Sequence, residues 1–272
     1  MKRIVLIIFF FIPFILSAQT YTELFDKALD EIHNDSLKEA EVLLKQALKL
    51  EPNNKRNALV FSNLGYILHR LGDNEQALDA YSQALEIVPQ LESTHLDRAA
   101  IFMEEGITDK AFVDYCDVLT KDKKNTEALL IRAYIYVLRR DYTEAHEDYS
   151  ALLTLKPDSY SGRLGLVSLY QKEGNYKEAL LLSNKMILEY PDDADLLIAR
   201  AGIEREMRHE DMALLDLDQA ISLNDSLPNA YILRGEILLN RHRKVLAKED
   251  FIKAVSLGVP LSEVHDQLIR CK

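Results

Sequence analysis

The sequence predicts an all-α solenoid of seven helix–turn–helix units, and three observations carry that prediction. Alanines recur at a fixed interval: Ala77, Ala111, Ala145, Ala179, Ala213 and Ala247 are each 34 residues apart, and Ala40 lies 37 before the first. Four residues after each come Leu44, Tyr81, Tyr115, Tyr149, Ser183, Leu217 and Phe251, and three further on Ala47, Ala84, Val118, Leu152, Met186, Ala220 and Ala254. Steps of 4, 3 and 7 fall on one side of an α-helix, so each interval holds one amphipathic helix. Finally, 9 Gly and 7 Pro in 272 residues are too few for a turn-rich all-β chain.

A second apolar stripe precedes each of these helices: Phe61, Leu64, Gly65 and Leu68, then Leu129, Ala133 and Tyr136, then Tyr231, Gly235 and Leu238. Breakers such as Leu71-Gly72-Asp73-Asn74 and Glu173-Gly174-Asn175 separate the two stripes, and Pro52, Pro89, Pro157 and Pro191 close units. Each unit is therefore two helices joined by a tight turn, with a small residue where their backbones approach. The pattern of large, small, aromatic, alanine and proline resembles the tetratricopeptide repeat, and Phe61 to Pro89 is a near-consensus instance. The resemblance implies a right-handed superhelical solenoid with repeats at 21–54, 58–91, 92–125, 126–159, 160–193, 194–227 and 228–261. Residues 262–272 then form a short C-terminal capping helix, with Ser262 as N-cap and Val264, Leu268 and Ile269 apolar.

Several residues depart from the pattern. Lys27 and Glu31 replace apolar residues in the first repeat, as in a frayed cap. Arg140, Arg208 and His242 stand where the turn glycine belongs, and Glu204 replaces a packing aromatic, so the sixth repeat is expected to pack loosely.

The N-terminus reads differently. Lys2-Arg3, the apolar run Ile4 to Leu16, and Ser17-Ala18-Gln19 have the three parts of a secretory signal, with cleavage expected after Ala18. Thirteen apolar residues are short of the roughly 20 that span a bilayer. No Cys follows the run, so no lipoprotein anchor is expected. Residues 1–18 are thus read as signal peptide and 19–272 as the solenoid. Loss of Lys2 and Arg3 takes the net charge from −11 to −13. A surface this acidic repels phosphate backbones, so no nucleic-acid partner is expected. The sequence points to an exported monomer, periplasmic, envelope-associated or secreted, with no membrane span after cleavage.

No catalytic motif, metal motif or cofactor loop is found. The seven histidines show neither i,i+4 pairing nor an HExxH run. Cys116 and Cys271 lie more than four repeats apart, too far for a mutual disulfide, which leaves Cys116 as a packed thiol and Cys271 as a candidate link between chains. One polar pattern stands out. Arg98 and Asp114, Arg132 and Asp148, Arg200 and Asp216, and Arg234 and Asp250 are each 16 apart. Where the Arg column is apolar, the Asp column is too, as with Leu64 and Ala80 or Leu166 and Leu182; only Lys27 with Leu43 breaks the rule. Switching together is what side chains in contact do, so four structural ion pairs are expected, with anion capture as the alternative reading.

By the family resemblance, the first helices line a concave groove that binds a partner. The groove is expected to centre on repeats three and four, at Leu96, Ala100, Met103, Leu130, Tyr134, Val137 and Leu138, with Tyr66 beside them. The matching columns of repeats five to seven hold Lys172, Asp195, Arg205, Glu206 and Glu236. The bland alternative is that curling buries the apolar set. The implied function is a non-enzymatic scaffold for a protein or peptide, amphipathic in character and basic at one end. A role as accessory subunit of an envelope enzyme or glycan-uptake complex is the alternative. Starch-uptake lipoproteins carry a lipobox Cys and aromatic insertions that are missing here. Chaperone-tail binders need a Lys, Asn and Arg clamp where this chain has Leu29, Tyr66 and Ala100.

Overall fold

The computed structural model describes residues 19–272, and the signal-peptide assignment of 1–18 lies outside them. The described residues form fifteen helices and no strand. Seven hairpins follow in chain order: α1 (Tyr21–His33) with α2 (Leu37–Leu50), α3 (Asn57–Arg70) with α4 (Asn74–Ile87), and α5 (Glu92–Glu104) with α6 (Thr108–Lys121). The next are α7 (Thr126–Arg139) with α8 (Tyr142–Leu155), α9 (Tyr160–Glu173) with α10 (Tyr176–Glu189), α11 (Ala194–Glu206) with α12 (Glu210–Leu223), and α13 (Pro228–Asn240) with α14 (Lys244–Ser256). A last helix, α15 (Leu261–Arg270), packs on α13 and α14. The chain divides into two compact units, one ending at Val118 and one starting at Leu119.

The alanine column explains the hairpin. All seven alanines from Ala40 to Ala247 are fully buried, and so are the residues four positions on, an aromatic ring in four of the seven repeats. At Gly65 a Cβ would stand 2.6 Å from the Tyr81 ring, so the position of this ring requires a glycine on the first helix of its repeat. At Gly165 the same added carbon would meet Tyr149 of the preceding repeat at 2.5 Å, so this fit also ties neighbouring repeats. Burial sends the Tyr149 hydroxyl pKa up to about 12.

The turns obey backbone sterics. Gly72, Gly106 and Gly174 hold φ of +84°, +72° and +79°, and Arg140, Arg208 and His242 take the same left-handed conformation at +66°, +66° and +61°. The chain geometry is kept at a cost of ~1–2 kcal/mol at each non-glycine. Glu204 is buried, yet its carboxylate meets His209 Nδ1 at 2.7 Å, so the sixth repeat answers the missing aromatic with a polar contact. The cap buries Val264 and Cys271 against Leu238, Leu239 and Phe251. Burial takes Cys271 out of reach of a second chain, which corrects the expectation that it could link two copies.

Candidate functional site

The four Arg–Asp pairs are in contact. Arg98, Arg132, Arg200 and Arg234 each donate from Nε and Nη2 to both oxygens of Asp114, Asp148, Asp216 and Asp250, over 2.6–2.9 Å. The aspartates are almost fully buried, while about a fifth of each arginine side chain remains exposed. The third nitrogen has its own task. Nη1 of Arg98 donates to Ser82 at 3.1 Å, that of Arg200 to Asn184 at 2.8 Å, and that of Arg234 to Asp218 at 2.6 Å. Each acceptor sits on the second helix of the preceding repeat, so one planar fork clamps two repeats. With the Nε–Nη2 fork of each arginine spent on a buried aspartate, these guanidinia are structural, and the anion-capture reading loses the bidentate edge it would use.

Repeat three carries a further cluster. His95, Asp114 and Asp117 bring three possible ligand atoms within 4.8 Å of one another. The geometry suits a proton rather than a metal. His95 Nδ1 stands 2.7 Å from Asp114, Nε2 stands 3.1 Å from the Pro89 carbonyl, and Arg98 already occupies both Asp114 oxygens. Both ring nitrogens face acceptors, which requires N–H on each, an imidazolium. The Asp114 hydrogen bond, against the pull of burial, raises the His95 pKa above 6.5. Burial alone would raise Asp114, but hydrogen bonds from His95 and Arg98 outweigh it and hold its pKa below 3.8. Because the folded His95 value is raised, its stabilisation is complete below 6.5 and fades as pH rises through the folded value. A His95 imidazolium signal that persists above pH 6.5 in an NMR titration is the check.

Of the expected groove residues, Tyr66, Leu96, Ala100 and Met103 lie in the first unit and all are half-buried. In the second unit Tyr134 is 46% and Leu138 53% exposed, and Leu130 is half-buried. These three follow at i, i+4 and i+8 along α7 and make one apolar ridge. Val137 is 8% exposed and belongs to the core rather than to the ridge. In later repeats the corresponding surface is charged and internally satisfied: Arg205 donates to Glu236 at 2.6 Å and to Glu206 at 3.1 Å.

The sequence reading missed the outer apolar residues. Leu181 and Leu188 on α10 are 75% and 84% exposed, more than any residue of the α7 ridge. Among the described residues no helix is long and apolar enough to cross a membrane.

Comparison with known proteins agrees with this architecture. Tetratricopeptide-repeat models match residues 58–91 and 136–203. A crystal structure of a tetratricopeptide repeat protein from Parabacteroides merdae shares 32% identity over 93% of this chain and 99% of its own, with a TM-score of 0.78. The chain belongs to the tetratricopeptide repeat family. YrrB, described as a TPR protein with an unusual peptide-binding site, matches 69% of this chain and 95% of its own at 19% identity and TM-score 0.57, a likeness of fold. The BBSome complex member BBS4 of Bos taurus is 25% identical over 87% of this chain and 43% of its own length. The chain spans about two fifths of the length of three curated relatives that it matches. The fold is generally a non-catalytic scaffold for protein–protein interaction.

Proposed function

We propose that the chain holds a peptide or protein partner against apolar side chains of its first helices, with the α7 ridge as the anchor in the second unit. The carrying observation is Leu130, Tyr134 and Leu138: the next repeat has Leu164, Ser168 and Lys172 in the same columns, and the one after has Ile198, Gly202 and Glu206. A half-exposed Tyr beside a half-exposed Leu is surface that costs free energy unless something covers it, and aromatic anchors dominate recognition. Tyr66, Leu96, Ala100 and Met103 offer apolar area in the first unit. An amphipathic helix or extended peptide is the matching ligand, as in the groove modes of helical recognition. The peptide-binding site named for YrrB is consistent with this use of the fold.

The setting we infer is the periplasm, the cell envelope or the exterior, on the strength of the signal-like segment Lys2 to Gln19. The test is a photo-crosslinking amino acid placed at Tyr134 in the native host. A discrete partner adduct from position 134, lost on Leu138→Glu, supports the reading. Adducts that form equally from a polar surface position such as Thr143 overturn it.

A further inference from the structure

The last repeat carries a cationic ridge that its own fold does not account for. From Arg241 to Lys248 the chain has Arg241, His242, Arg243, Lys244 and Lys248 and no carboxylate, in a sequence of net charge −11. Every second helix from α2 to α12 opens with an acidic side chain in its first turn, where the helix dipole favours one. In α14 there is none: the N-cap is Arg243, which makes no side-chain cap, and the first residue is Lys244. His242 holds a left-handed φ of +61°, which a glycine would adopt without strain. Local rules broken at a cost to the hairpin mark residues retained for another purpose.

Part of this charge is spent inside the chain. Arg241 donates to Glu210 at 2.7 Å and to Asp211 at 2.6 Å, and Arg234 is shared by Asp218 and Asp250, so the flank toward α12 is slightly acidic. Lys253 is half-buried, with its ammonium 5.8 Å from the centre of the Tyr231 ring. The exposed side of α14 and its N-cap keep Arg243, Lys244 and Lys248 against Glu249 alone. An apolar crest runs beside these cations. Val245 and Ile252 lie seven residues apart, opposite the buried Ala247, Phe251 and Ala254, and are 72% and 52% exposed. On α10 the exposed Leu181 and Leu188 have no such setting, because Glu178 and Glu189 stand beside Lys177 and Lys185.

We propose that the exposed side of α14 rests on an anionic lipid surface, with Val245 and Ile252 pressed among the headgroups and Arg243, Lys244 and Lys248 on their phosphates. Shape and charge together select this occupant. The crest protrudes, and a headgroup layer deforms around a ridge of any outline, whereas a protein must offer a matching pocket. Lysine stems lie along an apolar boundary while their ammonium groups reach outward to charge. A basic helix with exposed aliphatic side chains is the form that lies in a bilayer interface. At 13 residues, α14 lies along such a surface and is too short to cross it. Each cation near an anionic leaflet strengthens binding about fivefold. The attraction and its opposite decay within roughly 8 Å at physiological salt, so one narrow ridge holds while the acidic remainder stays in solution. This surface is separate from the α7 ridge, and the proposal does not depend on that one.

Co-sedimentation of residues 19–272, which hold all fifteen described helices, with vesicles of phosphatidylcholine and phosphatidylglycerol measures it. Binding should be at least about tenfold tighter than to phosphatidylcholine alone, and should fade at high salt. Lys244→Glu with Lys248→Glu should weaken it at least about twentyfold, since two attractive charges become repulsive. Val245→Ser with Ile252→Ser should weaken it several-fold, and Leu181→Ser with Leu188→Ser on α10 should leave it unchanged. All six are exposed positions, and unchanged helical circular dichroism guards against misfolding. A chain that ignores the anionic vesicles overturns the proposal, as does one that binds neutral vesicles equally well. Equal losses from the α10 and α14 substitutions overturn it too. Binding of soluble polyglutamate as tight as binding of vesicles, and lost with Lys244→Glu and Lys248→Glu, also overturns it and assigns the ridge to an acidic protein.

Discussion

Repeats four and five share one backbone plan and turn their apolar surfaces in opposite directions. Repeat four exposes Tyr134 and Leu138 on its first helix, and its second helix is polar outside, with Glu144, Glu147 and Ser150. Repeat five has Ser168 and Lys172 on the first helix and puts Leu181 and Leu188 on the outside of the second. Inside they also differ: Arg132 and Asp148 occupy the positions that Leu166 and Leu182 fill one repeat later. The alanine and aromatic columns fix how two helices meet, and every remaining column is free to be spent on a surface. Function in such a fold lies in the residues that the repeat pattern does not specify.

The largest effect expected from breaking this comparison is at the ion pair. Arg132→Ala leaves Asp148 buried with its main donors gone, and should cost ~3–5 kcal/mol in chemical denaturation. Arg132→Leu with Asp148→Leu copies repeat five and should recover most of that loss, since apolar replacements of buried pairs are often neutral. A double variant as unstable as the single one would mean that the two repeats are not interchangeable at this layer.

Next in size is the joint between the two repeats. Gly165→Ala forces a methyl to within 2.5 Å of the Tyr149 ring and should cost ~1–3 kcal/mol by overpacking, read as a lowered denaturation midpoint. The turns give a smaller and opposite pair of effects. Gly174→Ala meets no atom within 4 Å, so it should lose only the left-handed backbone penalty of ~1 kcal/mol. Arg140→Gly should gain ~0.5–1 kcal/mol at the equivalent turn of repeat four, with no change at the surfaces. Equal midpoints for both variants would show that the strain is relieved elsewhere.

The sequence made part of this legible for a physical reason: contacts that recur every 34 residues leave a periodic trace. The hairpins, the buried alanines and the paired switching of Arg with Asp are all of that kind. The third arm of Arg98, Arg200 and Arg234 left no such trace, because its acceptor changes from Ser82 to Asn184 to Asp218 while the spacing stays constant. His95 was legible in principle. It sits in a column otherwise filled by Leu24, Phe61, Leu129, Leu197 and Tyr231, apart from Arg163, and a polar residue in an apolar column announces a buried partner. Val137 was misplaced because it is apolar in either setting, so only the packing of α7 separates core from ridge. The outer leucines of α10 were passed over for the opposite cause: the column of Leu181 holds Asp79, Glu147 and Glu249 elsewhere, that of Leu188 holds Glu86, Thr154 and Ser256, and neither carries an apolar period.

The smallest expected change in stability comes with the largest expected change in binding. Tyr134→Ser with Leu138→Lys gives repeat four the residues that repeat five already carries at Ser168 and Lys172. Both side chains are about half exposed, so thermal stability should move by less than ~0.5 kcal/mol each. Partner adducts from a photo-crosslinker at neighbouring Leu130 should nevertheless disappear, because the aromatic anchor and the leucine beside it are gone. The reverse transplant, Ser168→Tyr with Lys172→Leu in the same chain, builds an equivalent ridge one repeat further on. Adducts should then reappear from Leu164, which holds the position of Leu130. If capture persists after the first exchange, or stays lost after the second, the anchor is not the α7 ridge, and the outer leucines of repeat five become the surface to test.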